Sequence, residues 1–295
     1  MKTVYKIIVI ILIIISIKTL ASPQMPDYII YKNDTIPTYN LILEKYLQKI
    51  NPGKDQLFGL SFRNRESFGV PLNCWRGYQA IYEVIDEKLY LTRIISCGEL
   101  QGKSKINIEE STRKITEIFG NNVRNNRVLI DWFSGVINFP KKIKDNKEIR
   151  WDGVFYRIFE YETLLDFQNG NLIKQQIAHN YQKIPKGINR IDKTKISDIL
   201  FKQLKKQKWE NDCSGKYLIT IGKDGKISNV RMPYSEKEID EYFEKEEYNY
   251  CIQKIKSALS NLQFDIIKDK GKPIAEDIYL EIWQDKNSSL ENWTH

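Results

Sequence analysis

Histidine is nearly missing from this chain, with His179 and the terminal His295 its only two. That stock all but excludes a histidine-based catalytic triad or a multi-histidine metal centre. A lone His179 beside Asn180 reads as a strand or loop residue, and neither a metal nor another cofactor is expected. Cysteine is scarce as well: Cys74, Cys97, Cys213 and Cys251 are the full complement, at spacings unlike any zinc knuckle. Long apolar runs are also lacking beyond the first residues, "MKTVYKIIVIILIIISIKTLASPQ". There, Lys2 and Lys6 precede an apolar stretch from Ile7 to Ile17, and Thr19-Leu20-Ala21 follows. That is the order of a secretory signal, expected over residues 1–21 with cleavage near Ala21. As a helix the stretch would span about 16 Å, roughly half of a bilayer's hydrocarbon core, so a retained inner-membrane anchor is the lesser alternative. No cysteine follows it, which argues against a lipid-modified N-terminus.

What is present describes a globular protein of 295 residues, enough for two domains, with 28% charged and 12% aromatic residues. The net charge of +8 includes the three lysines of the signal and is spread along the chain. The densest basic run, Lys202–Lys208, reads as the wet face of a helix, and nucleic acid is not an expected partner. In an exported chain four cysteines point to pairing in an oxidising compartment, periplasmic or secreted, although three connectivities exist. Sequence order divides them into Cys74 with Cys97 and Cys213 with Cys251.

The segment 22–184 is expected to be β-rich with two helices. "DYIIYKNDTIPTYN" suggests two strands about a turn, and Leu41, Ile42, Tyr46, Leu47 and Ile50 recur at helical spacing, stopped by Pro52-Gly53. "CWRGYQAIYEVIDEKLYLTRIISC" reads as a hairpin turning near Asp86-Glu87. With those two as loop residues, Val84 faces Leu89 and Tyr82 faces Leu91, but Cys74 and Cys97 are diagonal, about 7 to 8 Å apart. A bulge or a change of turn is then required for their disulfide. Asn107-x-x-Glu110 caps a helix ended by Gly120, and Asn169-Gly170 marks a further hairpin. Residues 185–195, opening with Pro185-Lys186-Gly187, are expected to link this domain to a second one at 196–285, followed by a tail at 286–295.

The second domain is the more legible. Ile196, Ile199, Leu200 and Leu204 line one helical face. "KYLITIGKDGKISNVRM" turns at Asp224-Gly225, which sets Ile221 against Ser228, Ile219 against Val230 and Tyr217 against Met232. That register puts Ser228 on the apolar face, and Ile227 with Leu218, Thr220, Asn229 and Arg231 on the other. Ser235-x-x-Glu238 is a capping box, and Tyr248, Cys251, Ile252, Ile255, Ala258, Leu259 and Leu262 repeat as the stripe of a covering helix. "GKPIAEDIYLEIW" closes the unit as a strand with Ile278, Leu280 and Ile282 on one side. Cys213 and Cys251 would then bridge sheet to helix. The fold class is therefore α+β: a β-rich N-terminal domain and a small β-β-α-β C-terminal one.

Gly215 before an alternating strand, Asp224-Gly225-Lys226-Ile227 with Val230, Ala258 in the helix, Leu262 and Phe264 after it, and Gly271-Lys272-Pro273-Ile274 before the last strand form an ordered set. Over residues 196–285 it resembles the TonB C-terminal domain. Members of that family are periplasmic modules whose sheet edge pairs with an extended segment of an outer-membrane transporter. The resemblance thus implies a protein partner in the cell envelope, such as a TonB-dependent transporter, and a pairing edge at Asp277, Ile278, Tyr279, Leu280, Glu281, Ile282 and Trp283. The chain departs from the family's pattern in lacking a Pro-rich spacer, in having Ile266 for the usual proline, and in an acidic insertion at Glu236–Glu247. Residues 22–184 resemble no family that we can name.

The function expected is partner binding without catalysis and without a small-molecule ligand. The alternative is an exported hydrolase using Asp131, Glu160 or Glu162, the last two projecting from one strand face. Trp75, Tyr78, Tyr82 and Tyr90 form an aromatic cluster that suits either a sugar- or peptide-binding surface or cross-strand packing.

Overall fold

The computed structural model describes residues 23–50, 72–102, 106–285 and 289–294. The expected signal and the Pro52-Gly53 stop lie outside these residues. The fold is α+β, with helices set against several sheets. Two compact units emerge, one comprising residues up to 139 with 151–157 and 165–175, the other 140–150, 158–164 and 176 onward. Residues 185–195 lie inside the second unit rather than between two domains. Ile188 accounts for part of this, since it exchanges backbone hydrogen bonds with Gln263 and Asp265.

In the first unit, β1 (Asp27–Tyr31) and β2 (Asp34–Thr38) form the expected hairpin, and β1 also runs parallel to β3 (Tyr78–Ile85). β3 pairs with β4 (Lys88–Ser96) through the predicted contacts Val84 with Leu89 and Tyr82 with Leu91. The register then shifts between Ile81 and Tyr82, so that Ile81 meets Arg93. This is the bulge that the cysteines required. A turn closed by the Gly77 N–H on the Cys74 carbonyl brings Cys74 back over β4, and the Cys74–Cys97 disulfide forms with Cα atoms 6.1 Å apart. Helices α1 (Ile42–Ile50) and α2 (Ile108–Phe119) supply Leu43, Leu47, Ile115 and Phe119 to the core with Ile29, Tyr78, Tyr82 and Leu91. The Asn107 side chain caps α2 as its spacing predicts, accepting from the Glu110 N–H.

β5 (Val128–Leu129) and β6 (Gly135–Pro140) are separated by a turn at Asp131-Trp132, and β9 (Tyr161–Gln168) turns at Asn169-Gly170 into β10 (Asn171–His179). Between them come β7 (Glu148–Trp151) and the short β8 (Arg157–Phe159).

In the second unit, β11 (Tyr181–Gln182), β14 (Ile266–Asp269) and β15 (Lys272–Pro273) make a small sheet. The larger sheet has four strands in the order β13-β12-β16-β17: β12 is Gly215–Ile221, β13 Ile227–Arg231, β16 Glu276–Gln284 and β17 Leu290–Asn292. Helices α3 (Lys193–Leu204) and α5 (Lys245–Leu259) cover one face, where Ile196, Leu200, Ile255 and Leu259 meet Tyr217, Ile219, Ile278 and Leu280. The short α4 (Glu236–Tyr242) opens on the predicted capping box, with Ser235 and Glu238 reciprocally bonded. The Cys213–Cys251 disulfide ties the start of β12 to α5, with Cα atoms 5.5 Å apart.

One prediction within this sheet needs correction. Ile219 does meet Val230, but the register shifts beside Thr220 and Ile221 pairs with Ile227, not with Ser228. Ile227 thereby turns inward to 9% exposure, while exposed Ser228 hydrogen-bonds the Thr220 carbonyl. Burying an isoleucine and releasing a serine drives the bulge, because apolar burial is favourable and a buried hydroxyl needs a partner. The expected tail contributes too, since Leu290 of β17 is buried in the core.

Two disulfides and no free cysteine among the described residues point to an oxidising compartment outside the cytoplasm. No helix among the described residues is long and apolar enough to cross a membrane.

Candidate partner-binding surface

Alternation along β16 sorts the predicted edge residues by face. Ile278, Leu280 and Ile282 are buried, whereas Asp277, Tyr279, Glu281 and Trp283 occupy the side away from α3 and α5. Across the sheet, Thr220 stands opposite Asp277, Leu218 opposite Tyr279 and Lys216 opposite Glu281. Asp277 is held from two directions, by the Thr220 hydroxyl at 2.6 Å and by Arg231 Nη2 at 2.7 Å. Tyr279 donates its hydroxyl to Glu281 Oε2. Partial burial, the Glu281 carboxylate and its hydrogen bond push this phenol up to about 12.

The backbone tells a second story. Trp283 pairs with Glu291 of β17, the Trp293 N–H donates to the Glu281 carbonyl, and the Glu281 N–H donates to Thr294 Oγ1. Alternate residues of a strand aim their backbone groups the same way, so those of Asp277 and Tyr279 point into the same lane, ahead of β17. Within that lane, the Tyr279 carbonyl accepts from Ser197 Oγ of α3 at 3.2 Å. Among the described residues the predicted edge is therefore occupied by the chain's own β17 segment over Glu281–Gln284, and no described strand pairs with it on that side at Asp277 and Tyr279. Sequence reading missed β17 and Ser197. Leu290 and Trp293 in a polar tail were the available signals.

At the start of β16 sits a buried charge cluster that sequence reading also missed. Glu276 accepts from Arg150 Nε and Nη2, both at 2.6 Å, and pairs with Lys193 Nζ at 2.9 Å. Arg190 is fully buried, with its Nε 3.6 Å from Glu276 Oε2. Its Nη2 donates to the Ile221 carbonyl at 3.3 Å. Burial raises the Glu276 pKa, but hydrogen bonds and attraction from Arg150 and Lys193 outweigh it, leaving the carboxyl below its ordinary value. Burial likewise draws the Arg190 guanidinium downward, opposed by Glu276.

The residues of the hydrolase alternative are not brought together as expected. Glu160 lies in a bend between β8 and β9, and Glu162 is buried, accepting from the Asn180 side chain at 2.8 Å. They do not share an exposed strand face. Asp131 is exposed in the first unit. His179 stacks on Tyr161 with ring centroids 4.4 Å apart and lies 3.6 Å from Glu160, beside a cavity of about 440 Å³ also lined by Lys183 and Lys268. Of the aromatic cluster expected on the β3–β4 hairpin, Tyr78 and Tyr82 are core packing, whereas Trp75 and Tyr90 are half-buried, Tyr90 under the Arg127 guanidinium. Tyr78 and Tyr82 are fully buried, with Tyr78 donating to Glu44 at 2.6 Å and Tyr82 accepting from the Leu43 N–H. The disulfide cysteines occupy the pairs already described. Among the described residues no group of His, Cys, Asp or Glu is arranged to hold a metal ion. No protein-family model, curated protein or solved structure matches the chain.

Proposed function

We propose that the chain is an exported, periplasmic protein-interaction module, its signal removed near Ala21, that binds an envelope partner by strand addition and has no catalytic role. The C-terminal unit acts as a TonB C-terminal-like domain, and the implied partner is an extended segment of an outer-membrane transporter. One observation carries the reading: among the described residues β17 pairs with β16 only over Ile282–Gln284, and no described strand takes the backbone groups of Asp277 and Tyr279 on that side. An incoming strand would extend the line that β17 begins, gaining main-chain hydrogen bonds in the manner of β-augmentation. The Ser197 contact leaves few free groups, so the reading implies a short segment and modest affinity.

Tyr279→Pro tests it. Because the Tyr279 N–H points into the lane, proline there removes a docking donor without removing a ladder bond to β12. With the disulfides intact, the variant should lose the partner that the wild type captures from an envelope extract. In the wild type the Asp277 and Tyr279 amides should gain protection from hydrogen exchange on binding. Full capture by the folded variant, or unchanged exchange at both amides, overturns strand addition at this edge.

A further inference from the structure

The outer face of the same sheet ends in an aromatic corner that the lane does not use. Tyr279, Trp283 and Trp293 are 37%, 44% and 54% exposed. Trp283 and Trp293 touch, with ring centroids 5.6 Å apart and planes inclined by 48°. Two of the three rings are pinned at their polar edges by a carboxylate. The Tyr279 hydroxyl donates to Glu281 Oε2, and Trp293 Nε1 donates to Glu291 Oε2 at 3.0 Å. Pinning the edges orients the rings while leaving them partly exposed. Exposed tryptophans are common singly, but a contacting pair flanked by two ordered carboxylates is a specific arrangement.

Ligand classes can be separated by what they would meet there. An anion would confront two carboxylates, Glu281 and Glu291, against the single lysine opposite Glu281, Lys216, because Arg231 on the same face is committed to Asp277. A quaternary ammonium is best held between rings on opposing sides, whereas these indoles lie against each other and leave no slot between them. A protein surface would have to desolvate both carboxylates and supply its own cations. A sugar satisfies the whole set. Its C–H face stacks on an indole, and its hydroxyls donate to carboxylate oxygens, each of which has more than one acceptor site. We propose that this corner is a carbohydrate-binding platform, taking a neutral oligosaccharide across Trp283 and Trp293 with Glu281 and Glu291 accepting its hydroxyls. It uses the face of the sheet rather than its edge, so it stands or falls independently of strand addition.

The test is calorimetric titration of the full oxidised chain with cellotetraose and chitotetraose, and separately with choline and tetralysine. At least one of the two glycans should bind with a Kd below about 1 mM. Trp293→Ala and Trp283→Ala should each weaken that binding about tenfold or more, an effect of the size expected for a stacked anchor. Trp283→Phe, which keeps a ring, should retain most of it, and Glu291→Gln should weaken it without changing the melting temperature. Three results would each overturn the assignment: no glycan binding at about 10 mM, glycan binding unchanged in both alanine variants, or binding of choline or tetralysine alone.

Discussion

Replacing Glu276 with glutamine removes the carboxylate that Arg150, Arg190 and Lys193 share. Glutamine has nearly the same shape, so the packing survives and the loss is one of charge. Lys193 is half exposed and can return to water, but the Arg150 and Arg190 side chains are 8% and 0% exposed and cannot. Removing one partner of a buried pair costs about 3 to 5 kcal/mol, because the remaining charge stays desolvated. For a domain of this size, about 4 kcal/mol corresponds to a fall of about 8 to 16 °C in melting temperature. Scanning calorimetry of wild type and Glu276→Gln at pH 7 measures it. The pH dependence supplies a second check. The carboxyl of Glu276 is depressed in the folded state, so its contribution is complete above the unfolded value of about 4.3 and is lost as pH falls through the folded value. The gap between the two proteins should therefore be full at neutral pH and shrink progressively below about 4.3. A fall of less than about 3 °C at pH 7, or a gap that does not change with acid, would refute the reasoning.

The disulfides should matter by loop length. Cys213 and Cys251 are 38 residues apart, so their double serine variant should lose about 4 kcal/mol in chemical denaturation. The loop of 23 residues closed by Cys74 and Cys97 should be worth about 3 kcal/mol; equal insensitivity to reductant would contradict both. Gly225 sits at φ +78°, where an added Cβ would collide with the carbonyl oxygen of Phe264, the residue whose backbone N–H donates to the Gly225 carbonyl. Gly225→Ala should cost about 2 to 3 kcal/mol, and an unchanged urea midpoint would show that the hairpin tip is not docked there.

Much of the fold was legible because its signals are local. The Ser235 capping box, the Asn107 cap, the stripe of α5 and the alternation of β16 each depend on residues within a few positions of one another. The pairing of Ile219 with Val230 follows by counting outward from a turn, and Val84 with Leu89 does too. Counting fails where an extra residue enters a strand. Neither the bulge that exchanges Ile227 for Ser228 nor the one that lets Cys74 reach Cys97 has a local sequence mark. The candidate site was only half readable for the same reason. Which side chains of Asp277–Trp283 face outward followed from period two, but whether their backbone is free depended on Ser197 and on β17.

The sequence by itself determined the α+β class, the run of strand, strand, helix and strand through β12, β13, α5 and β16, and the faces of β12 and β16, because helix caps, turns and hydrophobic periods act over a few residues. Only the tertiary structure decided that residues 185–195 pack inside a unit, that Arg190 is buried beside Glu276, and that Trp293 folds back beside Trp283. The first two join residues distant in the chain, through burial that stabilises the contact only once both partners are in place, and the third follows from the register of β16 with β17.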